Sequence, residues 1–334
     1  MDSALRDHGG DLDAALRRFG GDAGDWLDLS TGINPVPYPV PPLSRHAVAA
    51  LPTKSDMARL RAAAAACYGT SVHVTPLAGA QGAIQAVPRL MAPGRARVLS
   101  PTYNEHAAAL RGAGWTVGEE KAPDALAGAD CAVVVNPNNP DGARHDPDRL
   151  AALAERVGLL VVDESFADPE PGLSLALRLH QGPQNILVLR SFGKFYGLAG
   201  LRLGFALSSR AIARTLADMA GPWPVSGPAI EAALHALPDT GWQAATIARL
   251  TRDAARLDRL ARGAGWPLVG GTPLFRTYAT PDAAAAQEHL ARRRIWSRVF
   301  PYSPHWLRLG LAGSPQQWHR LAAALDQPPP SSQA

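Results

Sequence analysis

Three lysines occur in 334 residues: Lys54, Lys121 and Lys194. A lysine adds to a carbonyl as the neutral amine, and apolar surroundings favour that form. Lys54 lies in the polar turn Pro52-Thr53-Lys54-Ser55-Asp56, and Lys121 follows Glu119-Glu120, so both read as solvated. Lys194 alone sits in an apolar, glycine-rich stretch, Leu187-Val188-Leu189-Arg190-Ser191-Phe192-Gly193-Lys194-Phe195-Tyr196-Gly197. That stretch reads as a buried strand that turns at Ser191 and Gly193 and delivers the amine. A strand, a turn and a snorkelling lysine is the plainer alternative. Asp163 closes the apolar run Leu159-Leu160-Val161-Val162. A carboxylate at the end of a buried strand needs a cationic partner, unless it caps the segment that follows. Arg308, inside Trp306-Leu307-Arg308-Leu309, needs an anion or an acidic neighbour for the same reason. Gly79, Ala80 and Gln81, in a turn rich in small residues, open a predicted helix and place backbone N–H groups where an anion can sit. An ordinary helix start fits them equally.

The elements that must carry these groups can be read from periodicity and punctuation. Asp11 caps a predicted helix that Gly20-Gly21 closes. Residues 32–39 are Pro-rich and cannot be helical. Helices are predicted over 43–51, 57–67 and 79–90. Strands at 97–100, 132–136, 159–163 and 185–190 then alternate with helices at 105–112, 147–157 and 173–180. Continuous apolar strands separated by helices imply an α/β fold with a mostly parallel sheet buried on both faces. Tyr103, Asn139, Asp163 and Lys194 fall just past strand ends, where such sheets bind ligands. Beyond residue 204 the pattern is helical, with a long amphipathic segment at 242–263. Strands and the helices 282–293 and 315–325 follow, as in a smaller α+β domain. The expected division is a large domain at 31–240 and a small one from 1–30 and 241–326. Residues 327–334, with three prolines, are expected to be a disordered tail.

Composition narrows the partners. Charged residues make up 19% and hydrophobic ones 46%, ordinary values for a globular chain. The net charge of +4 is spread without a basic run or an aromatic-interleaved patch, so no nucleic-acid role is expected. No apolar run approaches the length of a membrane span. Met1-Asp2-Ser3-Ala4-Leu5-Arg6-Asp7 forms no apolar leader, so a cytoplasmic location is expected. Cys67 and Cys131 form no disulfide framework, and the ten histidines show no metal-ligand spacing, so no metal is expected.

The order Ser191-x-x-Lys194 followed by Arg202 resembles the signature of fold-type I pyridoxal-phosphate enzymes of the aminotransferase class. The elements that carry the resemblance recur in the family's order across nearly the whole chain. It implies a large domain with a mostly parallel sheet flanked by helices, a smaller α+β domain, and a homodimer. It also implies that Lys194 holds pyridoxal 5′-phosphate covalently through its amine. Ser191, Arg202 and the helix start at Gly79, Ala80 and Gln81 would bind the cofactor phosphate, a dianion suited to a hydroxyl donor and a guanidinium fork. Asp163 would pair with the ring nitrogen, Tyr103 would stack on the ring, and Asn139 would donate to its 3′-oxygen. Arg308 corresponds to the arginine that binds the substrate carboxylate.

Within that family, several segments look like the threonine-phosphate decarboxylases of cobalamin biosynthesis. These are His8-Gly9-Gly10, Ser30-Thr31-Gly32-Ile33-Asn34-Pro35, Asn138-Asn139-Pro140-Asp141-Gly142, Arg190-Ser191-Phe192-Gly193-Lys194-Phe195 and Gly221-Pro222-Trp223-Pro224-Val225-Ser226-Gly227-Pro228, and this match covers about residues 8–325. The implied reaction is decarboxylation of O-phospho-L-threonine to (R)-1-aminopropan-2-yl phosphate. His8, Thr31, Gly32, Asn34 and Arg144 are the residues expected to bind that substrate. The related histidinol-phosphate aminotransferases usually carry a tyrosine three residues after the ring-nitrogen aspartate, whereas this chain has Phe166. It also lacks their tyrosine near residues 51–56, and Tyr38 is a candidate substitute. Transamination, and a non-catalytic protein on the same fold, remain the alternatives.

Overall fold

The computed structural model describes residues 8–326, so the expected tail at 327–334 lies outside the described residues. The chain divides into two compact units. The larger contains residues 37–139 and 143–244; the smaller contains 8–36, 140–142 and 245–326. Residues 31–36, read from sequence as the start of the large domain, are bonded within the smaller unit, where Arg249 Nη2 donates to Asn34 Oδ1 at 2.6 Å. Residues 140–142 join the smaller unit because Thr277 Oγ1 donates to the Pro140 carbonyl at 2.6 Å. The boundary at 244/245 lies inside the helix Thr240–Gly263.

The larger unit is built on a seven-stranded sheet. Its order is His73–Leu77, Gly204–Ser208, Ile186–Ser191, Leu159–Asp163, Cys131–Val135, Arg95–Leu99 and Thr116–Glu120. Every pairing is parallel except those made by Gly204–Ser208, which runs antiparallel to both neighbours. Cys131–Val135, Leu159–Asp163, Ile186–Ser191 and Gly204–Ser208 are buried throughout, as continuous apolar runs require.

Three strands were not foreseen, and two of them are the sheet's edges. His73–Leu77 contains Pro76, which an edge strand tolerates because one side of its ladder is unpaired. Thr116–Glu120 carries the charges that keep an edge from pairing with another chain. The third, Gly204–Ser208, begins with a glycine whose Cβ would lie 2.5 Å from the Ala80 nitrogen.

The helix expected at 173–180 does not form. A 3-10 turn spans Pro171–Leu173 and irregular chain follows. The buried Glu164 carboxylate takes the polar groups that a helix would have used: Leu175 N–H donates to Oε1 at 2.7 Å, and the Ser174 hydroxyl donates to Oε2. Glu164 also receives Arg190 Nη1 at 2.9 Å, while Arg190 Nη2 reaches Asp168 Oδ1 at 2.7 Å. This buried cluster ties strand Ile186–Ser191 to the segment after Leu159–Asp163. In the parallel pairing Asp163 lies opposite Leu189, five positions before Lys194. The ion cluster therefore braces the two strand ends that carry the aspartate and the lysine.

Behind Lys194, Phe192 stacks on Tyr196 at 4.5 Å, and Tyr196 stacks on Trp242 at 5.6 Å. Tyr38 packs edge-on against both Tyr196 and Trp242, and its hydroxyl donates to Asp239 Oδ2 and the His235 carbonyl. Tyr38 is thus a buried residue of its own unit.

The smaller unit contains an antiparallel sheet ordered Arg298–Phe300, Ser303–Gly310, Phe275–Ala279 and Leu268–Thr272. Leu27–Asp28 pairs in parallel with Ile295–Trp296. Gly142 and Gly271 pack backbone to backbone, and both have positive φ, +68° and +151°, so side chains are excluded there. Among the described residues no helix is long and apolar enough to cross a membrane.

Candidate active site

Asp163 closes its strand with a side chain only 4% exposed. Ser165 donates its backbone N–H at 2.9 Å and its hydroxyl at 2.5 Å to Oδ1. His106 Nε2 lies 2.9 Å from Oδ2. An ionised carboxylate only accepts, so Nε2 carries the proton in this contact. Burial pushes the Asp163 carboxyl up, but the His106 hydrogen bond and charge, with the two Ser165 donors, outweigh it. The net shift is downward, and a buried anion results. This anion is what a protonated ring nitrogen requires as a counter-charge.

His106 escaped the sequence reading. It lies 57 positions from Asp163, in the first turn of helix Glu105–Gly112. The one local signal is helical spacing from Tyr103. The two rings meet edge-on at 6.2 Å and 85°. Tyr103 is half-buried, and its hydroxyl donates to Gln81 Oε1 at 3.3 Å. Gln81 Nε2 in turn donates to Glu105 Oε2 at 2.8 Å. Tyr103 and Gln81, both expected around the cofactor, are therefore in direct contact.

Lys194 lies in the short helix Phe192–Phe195 that follows strand Ile186–Ser191. It is half-buried, and its Nζ stands 5.6 Å from the centre of the Phe166 ring. Gly193 lets the chain at 199 approach: a Cβ there would sit 2.8 Å from Ala199 Cα. Asn139 ends a braced turn. Asn136 hydrogen-bonds the His145 backbone through both side-chain ends, and Asn138 Nδ2 donates to the Pro101 carbonyl at 2.9 Å. Thr102 Oγ1 donates to Asn138 Oδ1 at 2.6 Å, which joins the turn before Asn139 to the segment carrying Tyr103.

The helix Gly79–Ala86 starts from Ala78, whose side chain makes no capping bond. Gly79 has φ +73°, and a Cβ on it would lie 2.9 Å from Arg202 Nη2. The Arg202 guanidinium thus stands beside a helix N-terminus that no side chain caps. N–H donors, a positive dipole end and a guanidinium together form the donor set for a phosphate dianion. Ser191, also expected there, is buried where its strand ends. With the Asp163 anion and the Lys194 amine, this donor chemistry fits pyridoxal phosphate. Gly79→Ala should weaken cofactor affinity at least about tenfold, because its left-handed backbone and the contact with Arg202 both resist a Cβ. Equilibrium dialysis of the apoprotein against the cofactor measures this.

The residues expected to meet the substrate are distributed over both units. Arg308, on strand Ser303–Gly310, is 5% exposed and donates from Nη2 to the Ser30 carbonyl at 2.6 Å. Its guanidinium stands 5.1 Å from the Phe275 ring centre. Asn34 is buried, and its Oδ1 accepts from Arg249 and from Val36 N–H. Thr31 is half-buried, Gly32 buried and His8 exposed. Arg144, in the larger unit, is held by Glu170 through two bonds of 2.6 and 2.7 Å.

Residues 43–325 match the family model described as aminotransferase class I and II. The threonine-phosphate decarboxylase of Pseudomonas aeruginosa is 46% identical over 328 residues, covering 96% of this chain and 97% of that protein. The threonine-phosphate decarboxylase of a Sinorhizobium species is 44% identical over 325 residues, covering 95% and 97%. Among solved structures, the histidinol-phosphate aminotransferase of Sinorhizobium meliloti, in complex with pyridoxal-5′-phosphate, superposes with a TM-score of 0.81 at 21% identity. That superposition covers 94% of this chain and 93% of the other and shows the shared fold. With these matches over nearly its whole length, the chain belongs to the class I and II aminotransferase family.

Proposed function

We propose that this chain is a pyridoxal-phosphate-dependent decarboxylase of O-phospho-L-threonine, yielding CO₂ and (R)-1-aminopropan-2-yl phosphate for the cobalamin nucleotide-loop linker. The observation that carries this reading is full-length similarity above 40% identity to two proteins named for that reaction. Phe166 supports it too, since it has no hydroxyl where the related aminotransferases usually carry one.

When bound, the cofactor supplies an electron sink for the pair left on Cα as the carboxylate departs. The chain's own residues do the rest. Lys194 would hold the cofactor through its amine until the substrate amine displaces it, and the freed ammonium would deliver the proton that replaces the lost carboxylate on Cα. Asp163, oriented by His106 and Ser165, keeps the ring nitrogen protonated. Ser191, Arg202 and the N–H groups of Gly79, Ala80 and Gln81 bind the cofactor phosphate. Tyr103 would cover one ring face, and Asn139 would donate to the ring oxygen. Arg308 takes the substrate carboxylate. His8, Thr31, Gly32, Asn34 and Arg144 surround the substrate phosphate, with Arg144 exchanging Glu170 for that dianion. A homodimer in the cytoplasm completes the proposal.

Incubation of the holoenzyme with O-phospho-L-threonine should release one CO₂ per phosphorylated amine formed, with no oxo-acid acceptor required. Consumption of 2-oxoglutarate with histidinol phosphate, and no CO₂ from phosphothreonine, would contradict the proposal.

A further inference from the structure

Ser30 lies at a junction that the reaction scheme leaves unused. It is 1% exposed, and its polar atoms point three ways. Its hydroxyl accepts from Gly10 N–H at 2.7 Å and donates to Asp28 Oδ1 at 2.6 Å. Its own N–H donates to the same Asp28 oxygen at 2.8 Å. Its carbonyl accepts from Arg308 Nη2 at 2.6 Å. One residue thus fastens the arm turn at Gly9-Gly10 and seats the buried guanidinium.

The packing on this residue is tight. A Cβ on Gly9 would overlap the Ser30 carbonyl oxygen and come within 3.4 Å of Arg308 Nη2. Gly10, at φ +89°, has the left-handed backbone that lets its N–H turn onto the Ser30 hydroxyl. The arm, Ser30 and Arg308 are therefore in contact in series. A shift of the arm moves the hydroxyl of Ser30, and the carbonyl of the same residue is one of the groups that orient the arginine.

We propose that Ser30 is a positioning residue that couples docking of the arm turn Gly9-Gly10 to the orientation of Arg308, so that the substrate carboxylate is gripped firmly only when the arm is seated. This rests on the reading of Arg308 as the carboxylate-binding arginine. Asp28 serves as the anchor: it accepts both the N–H and the hydroxyl of Ser30, leaving one rotamer in which the hydroxyl also receives Gly10. Coupling of this kind acts on binding and leaves the bond-breaking step to Lys194 and the cofactor.

The test compares the wild-type holoenzyme with Ser30→Ala, Asp28→Asn and Arg308→Lys. In Ser30→Ala, amide hydrogen exchange across the arm turn should rise. KM for O-phospho-L-threonine should rise about tenfold, the size of one lost hydrogen bond. kcat should stay within about twofold, with the visible cofactor spectrum unchanged. Asp28→Asn keeps an acceptor oxygen facing Ser30 and should retain the wild-type KM. Faster arm exchange with an unchanged KM would overturn the coupling, as would a Ser30→Ala effect confined to kcat. Arg308→Lys supplies a reading that needs no turnover: removing the guanidinium from the Ser30 carbonyl should speed exchange in the arm. Unchanged exchange in that variant would overturn the coupling even if phosphothreonine proved to be the wrong substrate. A wild-type protein that releases no CO₂ while Arg308→Lys loosens the arm would refute the substrate assignment alone.

Discussion

Lys194→Ala should abolish the visible absorbance of the bound cofactor and lower CO₂ release from phosphothreonine by at least about 100-fold. Both effects have one origin. In the proposed scheme the amine tethers the cofactor and, once the substrate amine has displaced it, donates the proton to Cα. Neither Lys54 nor Lys121 can replace it: Lys54 opens a helix capped by Thr53, and Lys121 follows the charged edge strand Thr116–Glu120. Loss of the tether need not release the cofactor. The Arg202 cradle and the Asp163 anion still offer non-covalent contacts, so the variant should bind the cofactor in dialysis while lacking the wild-type spectrum. Added methylamine should restore part of the activity, because a free amine can stand in for the missing one. An unchanged spectrum would remove Lys194 from the chemistry.

Asp163→Asn should lower kcat by about 100- to 1000-fold, the loss typical of removing one preorganised electrostatic partner. Asparagine keeps the size and the oxygen that accepts from Ser165 at 2.9 and 2.5 Å. It removes the charge. The ring nitrogen then loses its counter-ion in a site where an unpaired charge is costly, and the neutral ring draws electrons from Cα poorly. KM should change much less than kcat, since no contact to the substrate is removed. The pH response gives an independent reading. Asp163 has its folded carboxyl pKa below the unfolded value, mainly because His106 overcomes the effect of burial. Its contribution to stability is thus present above about pH 4 and is lost as the pH falls through the lower folded value. Urea midpoints taken from neutral to acidic pH should show this loss in the wild type, and Asp163→Asn should lack that component. Matching acid profiles for the two proteins would place the aspartate outside the ionic role given to it.

Much of the proposed catalytic centre was legible because buried strands write themselves as apolar runs. Leu159–Asp163 and Ile186–Ser191 stood out, and their ends deliver Asp163 and the turn to Lys194. Lysine scarcity then singled out the amine. Edge strands were harder. Pro76 and the acids of Thr116–Glu120 are the features that make an edge safe, and they also erase the strand pattern. The expected helix at 173–180 failed because Glu164, a distant buried carboxylate, binds the Ser174 hydroxyl and the Leu175 N–H. Apolar spacing carries no trace of that competitor. His106 was missed for a related reason: its contact with Asp163 crosses 57 positions and exists only once the strands are paired. The Glu164–Arg190–Asp168 cluster is of the same kind, since a charged residue inside a strand does not name its partner.

The proposed chemistry requires that Lys194, and no other lysine, carries the cofactor. Borohydride reduction of the holoenzyme fixes the cofactor on the residue that holds it, and peptide mapping then locates it. A single modified peptide containing Lys194 is expected. Modification at Lys54 or Lys121, or no modified peptide from protein that retains its cofactor, would contradict it.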